Sequence, residues 1–139
     1  MGRLPRAMEN RALRPALRAG GNVVKLQAIA NVKRLAVGGY SKGLLARSIV
    51  LRAARQKKGQ LRLLVAIAPT VKSAAGVRVG LYGSVFELGR QAGHGGNRNT
   101  QKPQPYLRPA AKQSATKVYS VVTTIGRNNL AAAVEQARG

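Results

Sequence analysis

Cysteine and tryptophan are missing from this chain of 139 residues, and it carries one histidine and only three acids, Glu9, Glu87 and Glu135. Without cysteine there can be no disulfide, no thiolate nucleophile and no cysteine zinc site. Three scattered carboxylates offer no pair for two-carboxylate hydrolysis and no ready metal site for a nuclease. The aromatic residues are four Tyr and Phe86, so the core must be built from Leu, Val, Ile and Ala, and the interleaved aromatics that stack on exposed bases are missing. The longest plainly apolar run, Leu63 to Ala68, is far shorter than the roughly 20 residues of a membrane span. No secretory apolar region follows the N-terminus. Residues 1–20 are Arg-rich like a transit peptide, but they contain Glu9, lack serine and share their periodicity with residues 21–35, so they read as structure. Position 6 is Arg, which rules out the myristoylation signal that Gly2 would otherwise begin.

What the chain does have is positive charge. Lys and Arg number 25 against 3 acids, a formal charge of +22. Self-repulsion on that scale opposes compaction and calls for a polyanion or an acidic assembly as neighbour. The 45% hydrophobic content argues against a disordered basic tail. The length suits a single domain.

The periodicities predict a flexible basic arm over residues 1–10, then a long helix from about Arg11 to Leu35. Leu13, Leu17, Gly20, Val24, Ala28 and Leu35 recur on one face. Arg11, Arg14, Arg18 and Lys25 gather opposite, within an arc of roughly 60°. Pro15 is tolerable only in a first turn, so the helix is expected to start near Arg14 or to kink. Gly20-Gly21 costs helix propensity, which close packing against another backbone would explain. Gly38-Gly39 ends the helix, and Ser41 opens a short turn through Leu45. Ser48–Arg52 and Leu61–Ala68 read as strands joined by a charged turn carrying Arg55, Lys57 and Lys58. Val77–Tyr82, with alternating Val77, Val79 and Leu81, reads as a third strand, and residues 83–89 as helical or extended. Residues 90–105 are rich in Gly, Asn, Gln and Pro and predict a long loop, mobile in the isolated chain. A helix follows Pro109, with a strand as the alternative over the β-branched Val121–Ile125. Gly126 is expected to break it, and Asn128 or Asn129 to cap a short last helix over residues 127–139.

None of the candidate chemical motifs holds together. His94 sits in Gly93-His94-Gly95-Gly96 without partners and reads as a solvated loop histidine. Ser41-Lys42-Gly43 lacks the rest of a phosphate loop, and Gly93–Gly96 fails the dinucleotide pattern. Glu87, the only acid between residues 10 and 134, reads as a structural partner of an arginine. No catalytic, cofactor or metal site is expected. The candidate polyanion or partner-facing residues are Arg11, Arg14, Arg18 and Lys25 on the helix and Arg55, Lys57 and Lys58 on the turn. Binding through them would be directed at a phosphate backbone and largely blind to sequence.

The order of three short motifs resembles a known family. The basic helix leads into Lys42-Gly43-Leu44-Leu45-Ala46-Arg47-Ser48-Ile49. Tyr82-Gly83-Ser84-Val85-Phe86-Glu87-Leu88-Gly89 comes next, and after a variable loop stands Pro103-Gln104-Pro105-Tyr106-Leu107-Arg108-Pro109-Ala110. The positions that carry the likeness are Gly43, Leu44, Ser48, Ile49, Tyr82, Glu87, Gly89, Pro105, Tyr106, Arg108 and Pro109. Together they resemble the neck, or tail-completion, proteins of long-tailed bacteriophages over about residues 10–126. The chain departs from that pattern at Leu35-Ala36-Val37, where Ala-Pro is common, and at Arg90, where Thr is common. The resemblance implies an α+β domain over residues 11–126, with a small antiparallel β-sheet on which a long N-terminal helix and C-terminal helices pack. It implies a structural virion protein without catalysis, made in the host cytoplasm. Copies would form a homo-oligomeric ring, commonly sixfold, at the head–tail interface. The partners would be other neck, connector and tail-terminator proteins, with double-stranded DNA passing through nonspecifically. The alternative is a ribosomal or other basic RNA-binding structural protein, supported by size, charge and the glycine-rich basic loop.

Overall fold

In the computed structural model, residues 6–36, 39–54, 60–89 and 102–138 are described. The elements are α1 (Arg6–Lys33), α2 (Gly39–Ser48), β1 (Ile49–Ala53), β2 (Leu63–Ile67), α3 (Val79–Leu88) and α4 (Leu107–Arg138). This is a small α+β fold with a long N-terminal helix, a two-stranded antiparallel sheet and a long C-terminal helix. Among the described residues no helix is long and apolar enough to cross a membrane.

The frame is the antiparallel pair α1 and α4. Small residues every four positions let the two helices approach closely. Ala12, Ala16, Gly20, Ala28 and Val32 are buried on α1, and Ala110, Ser114 and Gly126 on α4. A Cβ on Gly20 would lie 2.5 Å from Val122 Cγ2, so this position admits no side chain while Val122 stays put. Asn129 Nδ2 donates to the Ala12 carbonyl at 2.9 Å, and Gln27 Nε2 donates to Gln113 Oε1 at 2.9 Å further along. The sheet lies along a second side of α1. A Cβ on Gly21 would lie 2.5 Å from Leu51 Cδ1, so the glycine pair serves two different close contacts. Ile49 pairs with Ile67 and Leu51 with Val65. Their inner face joins Ala28, Val32, Leu35, Leu45, Val79, Tyr106 and Ala110 in the core.

Several expectations are corrected. Residues 6–10 of the expected arm are helical and belong to α1, and residues 1–5 lie outside the described residues. It runs through Pro15, which is exposed. Burial of Ala12 and Ala16 against α4 carries the helix past the missing N–H. Residues 39–48 form a ten-residue helix where a short turn was expected. The expected third strand is absent: Val79–Leu88 is helix α3, preceded by an isolated bridge between Lys72 and Arg78. Nor does Gly126 break α4, because it is buried against Leu13 and Ala16, and one helix of 32 residues runs to Arg138. Asn129 braces α1 instead of capping a new helix. Of the loop expected over residues 90–105, residues 90–101 lie outside the described residues, as does His94.

Candidate functional site

The second and third motif segments meet where α1 ends and α4 begins. A helix leaves its first four N–H groups without partners. Glu87, reaching from the end of α3, accepts three bonds: Tyr106 N–H and Leu107 N–H to Oε2 at 2.8 and 2.9 Å, and Arg108 N–H to Oε1 at 3.0 Å. The next residue is Pro109, which has no N–H to satisfy. One carboxylate thereby completes the helix start, at the positive end of the α4 dipole. The arginine partner expected for Glu87 is present but secondary. Arg108 Nε stands 3.9 Å from Oε1 and its side chain is 72% exposed, so the cap and not the ion pair is the stronger contact.

Other residues lock this junction. Gln104 N–H donates to the Phe86 carbonyl at 2.7 Å, and Gln104 Oε1 accepts from Ala36 N–H at 3.0 Å. Buried Asn31 donates to the Tyr106 carbonyl at 3.1 Å. Gly89 ends α3 at φ 77°, a left-handed position that favours glycine. The Tyr106 ring is fully buried, and its hydroxyl has no hydrogen-bond partner among the described residues. Burial, and secondarily the charge of Glu87, hold its phenol above the ordinary tyrosine value. A Cβ on Gly83 would lie 2.6 Å from that hydroxyl oxygen and would overlap Ile67. In the first motif, Ser48 is buried and donates to the Leu45 carbonyl at 2.7 Å, and Ile49 is buried beside it. Leu45 is the buried leucine, while Leu44 is only half-buried. Gly43 meets nothing within 4 Å and Pro105 is exposed. Tyr82 is partly exposed and lines a cavity of about 280 Å³ with Leu44, Leu45, Val79 and Phe86.

The basic residues divide. Arg11, Arg14 and Arg18 are exposed and Lys25 is half-buried. Arg11 faces the groove between α1 and the end of α4, beside Asn129 and Ala133. Arg14 and Arg18 instead line a cleft of about 120 Å³ against the distal part of the hairpin. The stripe is therefore not a free helix face but the border of a packed surface. Across the cleft stands Arg62. Its position comes from the hairpin ladder, which continues past β1 and β2 through Ala54 N–H to the Arg62 carbonyl at 3.0 Å. No hydrogen bond or ion pair joins the three side chains to any described residue. Arg55, Lys57 and Lys58 lie outside the described residues. Among the described residues no group of His, Asp or Glu could hold a metal ion.

No family model, curated protein or solved structure matches the chain.

Proposed function

We propose that this chain is a structural subunit of a phage neck, forming a ring that joins or completes the head–tail connection around the DNA channel, and that it is not an enzyme. The observation that carries the reading is the junction at Glu87. Two of the three motif segments behind the resemblance are joined there by three hydrogen bonds, and the third segment supplies Leu45 and Ile49 to the same core. Their order along the chain thus corresponds to one physical unit. Both oxygens of the one interior carboxylate are engaged by backbone, which favours a structural role over a general base.

Ring formation needs a surface on which copies of a +22 chain can meet. Helix α3, VGLYGSVFEL, carries no cation. Its Leu81 and Leu88 are each 62% exposed, beside the partly exposed Tyr82, which suits contact between copies without opposing like charges. The test is an electron-microscopy image of the tagged chain in its assembly. Ring density at a head–tail junction is the expected result. Monomers that sediment with ribosomal subunits or bind folded RNA at nanomolar concentration would replace this reading with the RNA-binding one.

A further inference from the structure

The cleft between α1 and the hairpin has no structural use for its charges. Arg14 and Arg18 are one helical turn apart, about 6 Å along the axis. Arg62 approaches from a segment more than forty residues away in sequence, and all three line the same cleft. Among the described residues no acid pairs with any of the three, so nothing in the described fold offsets their charge, and an anionic partner would. The space is about 120 Å³, enough to admit one tetrahedral oxyanion. Leu17, Leu61 and Leu63 line it beside the arginines. All three cations are arginines, whose planar fork pairs with two phosphate oxygens at once.

From this arrangement we infer that the cleft holds a backbone phosphate of double-stranded DNA. The identity of the polyanion rests on the neck reading; the presence of an oxyanion site does not. No aromatic side chain lines the cleft, so it offers no platform on which an unpaired base could stack. A contact to phosphate orients the hairpin against the duplex without regard to sequence.

The experiment is a salt titration of the purified full chain on a thirty-base-pair DNA duplex. The cleft variant combines Arg14→Gln, Arg18→Gln and Arg62→Gln. A charge-matched control combines Arg47→Gln, Lys72→Gln and Arg78→Gln, all exposed and none of them in the cleft. Each phosphate contact contributes about 0.9 to the slope of log affinity against log salt. The cleft variant should flatten that slope by roughly 2 to 3 and the control by less than about 1. Arg62→Gln alone should flatten it by about 0.9, which keeps the test open if the triple variant folds poorly. Equal flattening by cleft variant and control would overturn the inference. So would cleft-dependent binding that is seen with polyglutamate or folded RNA and not with duplex DNA. Imaging separates the two readings. Rings whose DNA slope ignores the cleft would leave the neck standing and remove this site, and a cleft-dependent slope without rings would do the reverse.

Discussion

At the end of the helix pair where α1 finishes and α4 begins, the negative charge of Glu87 is met by three N–H donors within 3.0 Å, with Arg108 beyond. Toward the other end, Arg14, Arg18 and Arg62 share a cleft with no charged or hydrogen-bonding partner among the described residues. The first arrangement is closed in its hydrogen bonds: every donor of the α4 start is accounted for. The second is open. In a chain with so few acids, where the one interior carboxylate sits separates what holds the fold from what is left for a partner. Variants at the closed end should therefore change stability, and variants at the open end should change binding.

The largest effect is expected at Glu87. Glu87→Ala strands the N–H groups of Tyr106, Leu107 and Arg108 and should lower stability by about 3 kcal/mol. Thermal unfolding should show that as a midpoint roughly 10 °C lower. Glu87→Gln keeps an acceptor and should cost about half as much. An unchanged midpoint for Glu87→Ala would mean that water caps α4 equally well.

Next come two glycines of one helix. Gly83→Ala forces a methyl into Ile67 and the Tyr106 hydroxyl and should cost about 2 kcal/mol. Gly80→Ala meets nothing within 4 Å and should gain up to about 1 kcal/mol from helix propensity. Urea unfolding of both variants checks the sign, and a gain at Gly83 would contradict the close packing.

A smaller, pH-dependent effect is expected at Tyr106. Its phenol is held above the ordinary value near 10.0 by burial first and Glu87 second, so the folded state keeps the proton that the unfolded state loses. Its contribution is fully present below about pH 10 and falls as the pH rises beyond it. Tyr106→Phe should stay within about 1 kcal/mol of the parent at pH 7, because it removes a buried hydroxyl without a partner. Above pH 10 it should be the more stable of the two. Parallel melts at pH 7 and pH 11 decide the matter.

The same contrast separates what the sequence makes legible from what it hides. The two terminal helices and the hairpin carry strong periodicity and are legible, and the glycine pair at 20 and 21 announces close packing. A third strand is suggested because Val77, Val79 and Leu81 alternate. The helical repeat Val79, Gly83, Phe86 is hidden by a glycine, whose lack of a side chain is what lets Ile67 and Tyr106 in. Pro15 and Gly126 look like breaks, and local propensity gives way to the burial of Ala12, Ala16 and Gly126 in the α1–α4 contact. The structural use of Glu87 is legible from its isolation among cations. That it caps a helix is not, since its partners lie nineteen to twenty-one positions away. Arg14 and Arg18 stand out on the helical wheel. Arg62 does not, because only the path of the hairpin along α1 brings it to them.

The central division is tested most directly by measuring two quantities on two variants: the thermal midpoint, and the salt slope of duplex DNA binding. The account predicts that Glu87→Ala lowers the midpoint by roughly 10 °C and leaves the slope of the folded protein unchanged. It predicts that the triple variant Arg14→Gln, Arg18→Gln, Arg62→Gln keeps its midpoint within about 2 °C and flattens the slope by roughly 2 to 3. A triple variant that loses its midpoint while its slope matches the parent would contradict the account, because the arginines would then serve the fold and not a partner.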